Sequence, residues 1–152
     1  MSTVKGVYVL VISVGKDIRV NIGALGGVNF EKGCYAYVGS AQNSLEKRLE
    51  RHLRKVKRKF WHIDYLLDND AVQVLKVFYK KARKHEECKI TKRISKRGIL
   101  IKGFGSSDCK CQSHLVRIKD CRLLEYLMRK RNWRSDGAPK TLNPLSLKRP
   151  KK

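Results

Sequence analysis

The chain has 152 residues, enough for one domain with its own core and too few for two. Its 36 lysines and arginines against 13 acids leave a formal net charge of +23. Self-repulsion on that scale calls for a polyanionic partner, so nucleic acid is expected and a membrane span or signal peptide, for which no stretch has the layout, is not.

An intracellular, cytoplasmic protein is therefore expected, and its five cysteines, irregularly spaced, are expected to be reduced. Its strongest basic helix lacks the Trp/Phe-rich apolar face of an interfacial helix, which argues against a membrane surface.

Residues 4–14 are dense in β-branched and aromatic side chains at both parities, which predicts a central strand covered on both faces. After a turn at Gly15-Lys16-Asp17, the alternation of Ile18, Val20 and Ile22 predicts its hairpin partner. The glycines at 23, 26 and 27 end that segment, and residues 34–40 read as a third strand. Gln42, Asn43 and Ser44 then supply acceptors for the first amides of a helix.

That helix is predicted over 45–60, because Leu45, Leu49, Leu53, Val56 and Phe60 make one apolar stripe at about 100° per residue. Lys47, Arg51, Arg54 and Arg58 lie opposite, and with Lys55 they form a phosphate-facing row. Arg48 and His52 sit one turn apart at the stripe's edge, where side chains can look into a cleft.

Residues 61–67 read as a second helix, 68–70 as a turn, 71–79 as a fourth strand, and 85–97 as a helix stopped at Gly98. A polar loop over 104–114 leads to a short strand over 114–118 and an amphipathic helix over 120–133. The domain is thus expected over 1–134. Residues 135–152, with three prolines and five cations after Asp136, read as a disordered basic tail.

Two motifs stand out. Gly6-Val7-Tyr8 opens the first strand and Tyr37-Val38-Gly39-Ser40 ends the third; singly, each tyrosine reads equally as a packing residue. Followed by Arg48, His52 and an acidic residue opening a later helix, the set resembles the GIY-YIG nuclease superfamily, from about residue 5 to 92. The longer strings at 35–41, 61–67, 87–88 and 104–115 resemble a compact single-domain branch of it and carry the likeness to about residue 118. The resemblance implies an α/β fold of α+β type, a small mainly antiparallel sheet flanked by helices.

It also implies phosphodiester cleavage with Mg2+ or Mn2+. Tyr8 and Tyr37 would lie beside the attacking water, Arg48 on the scissile phosphate, His52 in proton transfer and Glu87 on the metal. The chemistry suits these residue types: a guanidinium binds two phosphate oxygens and stays protonated, and magnesium keeps most of its waters, so one carboxylate suffices. A tyrosine, with a reference pKa of about 10, is a base only where nearby cations and a metal favour the phenolate.

Alternatives stand beside these readings. Glu87 is preferred to Glu86 because it matches the family's Glu-Cys pair, while both also suit a helix N-terminus. The 28 residues between Tyr8 and Tyr37 leave room for an extra hairpin arm. Cys109, Cys111 and His114 with Cys88 have the donors for a zinc site, although free cysteines also serve as small buried hydrophobes. His62 and Asp64 are expected to orient one another or the backbone. The expected function is a DNA endonuclease selective for DNA shape, repair or recombination being the setting, against a non-catalytic DNA- or RNA-binding module of the same fold.

Overall fold

The computed structural model describes residues 5–54, 58–105, 111–129 and 140–142. In chain order the elements are β1 (Gly6–Val14), β2 (Ile18–Asn21), β3 (Gly27–Phe30), β4 (Gly33–Ala41), α1 (Leu45–Leu53), α2 (His62–Leu67), β5 (Val72–Lys81), α3 (Glu86–Ser95), β6 (Gly98–Leu100), β7 (Leu115–Ile118), α4 (Cys121–Arg129) and β8 (Lys140–Leu142). The fold is α+β: a six-stranded sheet in the order β6-β7-β4-β1-β5-β8, every neighbour antiparallel, with a separate two-stranded ribbon β2-β3.

β1 is central, as its two-sided apolar pattern predicts, and alternate residues feed two cores. Tyr8, Leu10 and Ile12, with Tyr35 and Tyr37 of β4, pack against Leu45 and Leu49 of α1 and Ile63 and Leu66 of α2. Val7, Val9 and Val11, with Ala36 and Val38, pack against Ile90 and Ile94 of α3 and Leu124 of α4. Helices therefore cover both faces, which is why β1 carries no polar face.

Several expectations are corrected. β2 pairs with β3 rather than with β1, from Ile18↔Phe30 to Asn21↔Gly27. The glycine cluster turns the chain back on itself at Gly23 and Gly26, both at positive φ, so the room between the two tyrosines is filled by a hairpin arm whose Ile22 and Phe30 seal the first core. Helix α1 stops at Leu53, where Arg54 is already extended. Phe60, expected in the apolar stripe, is 75% exposed, while Val56 lies outside the described residues. The dense cations after Leu49 give the predicted longer helix few favourable side-chain pairs, and the chain is instead drawn back by Arg51, which donates to the Arg58 carbonyl at 2.9 Å.

Gly98 does more than end α3. It starts β6, whose approach to β7 is so close that a Cβ there would lie 2.3 Å from the Arg117 carbonyl oxygen. Within the segment read as a disordered tail, Lys140–Leu142 pair with β5 as β8; the rest of that tail, and residues 130–133 of the expected last helix, lie outside the described residues. Cys34 of β4 and Cys121 at the start of α4 form a disulfide, contrary to the expectation of reduced thiols, because β4, inside the sheet, and the helix packed on it bring Cα atoms 87 positions apart in sequence to within 5.5 Å. Among the described residues no helix is long and apolar enough to cross a membrane.

Candidate active site

The C-terminal half of β4 delivers Tyr37, Gly39 and Ser40 to one end of the sheet, beside Tyr8 on β1, whose register partner is Gly39. The close pairing depends on that glycine: a Cβ at 39 would lie 2.5 Å from Tyr8 Oη and Cζ. Ser44 accepts from the Lys47 amide at 3.2 Å and so sets the start of α1. From there Arg48 and His52, four apart, look back onto the same end of β1 and β4.

Tyr8, Tyr37, Arg48, His52 and Glu87 line a single cleft of about 340 Å³. Tyr8 Oη lies 2.6 Å from His52 Nε2, and the His52 ring is buried between Tyr8, Tyr37 and Trp61, with ring centroids 5.3, 6.2 and 6.0 Å away. Arg48 donates to the Ser40 carbonyl at 2.8 Å and lies 4.4 Å from the centroid of Trp61. Glu87 enters from the first turn of α3; its Oε1 accepts from the Ser40 hydroxyl at 3.0 Å, and its Oε2 lies 3.7 Å from His114 Nε2.

Burial pushes the Tyr8 phenol above its ordinary pKa, and the Arg48 guanidinium only partly offsets this. Tyr37 is pushed well up, by burial first and then by Tyr8 and Glu87. Among the protein's own groups burial outweighs the nearby cations, and both tyrosines carry their protons at neutral pH.

The row of cations expected to meet nucleic acid divides. Lys47, Arg54 and Arg58 are exposed, and Lys55 lies outside the described residues. Arg51 does not face outward: it makes a bidentate pair with Asp64 at 2.8 and 2.9 Å and lies 4.3 Å from the Trp61 centroid. Asp64 is fully buried and also accepts from the Phe60 and Trp61 amides, each at 2.8 Å. Burial by itself would raise its carboxyl, but Arg51 and those two amides hold it below the usual range. His62 does not meet Asp64; its Nδ1 accepts from the Gly105 amide at 2.9 Å, and partial burial lowers its pKa.

The chain matches the model named Domain of unknown function DUF123 over residues 7–132. The chain belongs to the DUF123 family. That match covers the whole cleft and every element that builds it, so the geometry above is that of a DUF123 domain. No curated protein and no solved structure matches the chain.

Further residues of this DUF123 cleft carried no assignment from sequence. Ser40 anchors both Arg48 and Glu87, Trp61 lies beside two guanidinium groups, Lys84 adds a cation to the wall, and Phe60 stands at the edge. Ser40 closes the Tyr-Val-Gly-Ser string, a position that could have marked it; Lys84 has no local signal among so many cations. Of the zinc candidates, Cys88, Cys111 and His114 come together, and Cys109 lies outside the described residues.

Proposed function

We propose that this DUF123 domain is a metal-dependent endonuclease of the GIY-YIG kind, hydrolysing phosphodiester bonds in DNA and selecting its substrate by shape. The observation that carries the reading is the convergence of Tyr8, Tyr37, Arg48, His52 and Glu87, spread over 80 positions of chain, on one cleft. A merely basic binding surface needs no buried tyrosine-histidine contact beneath its cations.

Arg48, steadied by the Ser40 carbonyl and the Trp61 face, takes two oxygens of the scissile phosphate and holds them as charge grows on them. Tyr8 and Tyr37 orient the attacking water. As the water oxygen bonds to phosphorus, its proton passes to Tyr8 Oη and the phenolic proton passes on to His52 Nε2. The phenol ends as it began, His52 becomes imidazolium, and the bond from phosphorus to the leaving oxygen breaks. This relay suits a phenol that burial keeps protonated, where direct deprotonation does not.

Glu87 fits a hydrated magnesium or manganese ion: among the described lining residues it supplies the carboxylate, and its oxygens are held by Ser40 on one side. When bound, such an ion polarises the phosphate and neutralises charge on the leaving oxygen. Lys47, Arg54 and Arg58 draw the DNA backbone toward the cleft, with a steep salt dependence.

The test is incubation with nicked, flapped, branched and plain duplexes in magnesium or manganese, alongside RNA of matched structure. Cutting of DNA that Glu87→Ala abolishes supports the proposal. Binding without cutting favours a non-catalytic module, and a clear preference for RNA at physiological salt contradicts the choice of substrate.

A further inference from the structure

Beside Glu87 three potential metal donors meet. Cys88 follows Glu87 on α3, Cys111 lies on the approach to β7, and His114 immediately precedes that strand; their ligand atoms all lie within 4.8 Å of one another. Cys88 and Cys111 lie outside the disulfide that joins Cys34 to Cys121. We propose that Cys88, Cys111 and His114 form a zinc site that ties the first turn of α3 to the 111–114 segment.

The hydrogen bonds around His114 prepare it as a ligand. The Thr91 hydroxyl donates its single hydrogen to the Glu87 carbonyl at 2.8 Å, so toward His114 Nδ1, also at 2.8 Å, it is the acceptor. Nδ1 therefore carries a ring proton, which makes Nε2 the ring nitrogen that would ligate an ion, the arrangement in which an outer hydrogen bond orients a metal-binding histidine. The ring is 1% exposed. Nε2 faces Glu87 Oε2 at 3.7 Å, beyond a direct hydrogen bond.

The donor set selects the ion. Two thiolates and an imidazole suit zinc, a borderline-soft ion, and not the hard, hydrated magnesium that a lone carboxylate accepts. Bonds of about 2.3 Å to sulfur and about 2.0 Å to nitrogen place tetrahedral ligand atoms roughly 3.5–3.8 Å apart, so the cluster closes on an ion by side-chain movements of about an ångström or less. A fourth ligand of oxygen type, such as water, completes the tetrahedron.

The consequence is mechanical. The His114 amide donates to the Phe104 carbonyl, and the Val38 amide donates to the His114 carbonyl, so an ion here links α3, the Phe104 loop and β4 in one joint. That joint supports the helix turn from which Glu87 enters the cleft. Zinc binding itself does not depend on whether the cleft cuts DNA.

The experiment uses the full chain, purified without chelators and passed over a chelating resin, with zinc measured by inductively coupled plasma mass spectrometry. One zinc per chain is expected. Exchange for cobalt should give thiolate-to-cobalt charge-transfer bands and the strong ligand-field absorption of a tetrahedral ion. Cys88→Ser and Cys111→Ser should each lower zinc content several-fold and weaken the charge-transfer bands, while His85→Gln, an exposed neighbour, keeps both. The cobalt spectrum of the wild-type chain decides the matter even if a variant fails to fold. A wild-type chain that takes up neither zinc nor cobalt overturns the proposal, as does Cys88→Ser with wild-type zinc content and spectrum.

Discussion

The Tyr8 hydroxyl lies 2.6 Å from His52 Nε2, joining the central strand to the last turn of α1 across 44 positions of sequence. Both side chains are buried, at 1% and 2% exposure, so the contact is sheltered from solvent and open to reactants only through the cleft. Tyr8→Phe keeps the ring packing and removes the proton path. DNA cleavage should fall by about 10²-fold or more, as loss of general acid-base assistance does, while stability falls by only about 1–2 kcal/mol, the cost of one buried hydrogen bond. Single-turnover rates beside urea unfolding check this. Because burial raises the Tyr8 pKa, the wild-type rate should show no added rise as pH approaches the ordinary tyrosine value of about 10.

Gly39→Ala tests the seat of that tyrosine. The new Cβ would fall 2.5 Å from Tyr8 Oη, and since strand backbone surrounds it, the ring must move. Overpacking of this kind costs about 1–3 kcal/mol. The expected outcome is a folded protein by circular dichroism with cleavage reduced at least as far as in Tyr8→Phe.

Phe60 is 75% exposed at the edge of the cleft, in edge-on contact with Trp61 at 5.4 Å. An aromatic face in that position offers a platform for an unpaired base. Phe60→Ala should weaken binding to flapped or branched DNA by about 1–3 kcal/mol, the worth of one stacked base, and leave binding to plain duplex nearly unchanged. Fluorescence anisotropy titrations with the two substrates measure the difference.

Arg51 and Asp64 make a bidentate pair that ties α1 to α2. Asp64→Ala should cost about 2–4 kcal/mol, because it leaves a guanidinium and two amides without their acceptor. The Asp64 carboxyl sits below its usual range in the fold, so its stabilisation is present at neutral pH. It is lost as pH falls below the unfolded value of about 3.9 toward the folded one. Urea midpoints between neutral and acid pH should therefore drop less steeply in Asp64→Asn than in the wild type. By contrast, Lys47→Ala should leave stability nearly unchanged and reduce the salt slope of DNA binding by about one.

Much of this fold is written locally. Two-sided apolar patterning marks β1 as central, Ser44 marks the start of α1, and period-two and helical patterns mark β5 and α3. What local pattern does not carry is partner choice. Nothing within Ile18–Asn21 says that it pairs with Gly27–Phe30 instead of β1, and three-residue strands such as β6 and β8 are recognisable only by the neighbours that complete them. The cleft residues were legible as a spaced set. The Arg51 pair was not legible, because helical spacing places a cation on a face but cannot show that a buried carboxylate thirteen residues later bonds to it. Phe60 was misassigned because the stripe was extended beyond the end of α1 at Leu53.

The central claim is that this cleft cuts DNA, and it rests most directly on Glu87. Single-turnover cleavage of a flapped duplex in manganese, with wild type and Glu87→Ala compared at equal DNA occupancy, tests it. Cutting by the wild type and a loss of about 10³-fold or more in Glu87→Ala, without weaker binding, is the predicted result. A wild-type chain that binds the flap and leaves it intact, or a Glu87→Ala chain that cuts at the wild-type rate, contradicts it.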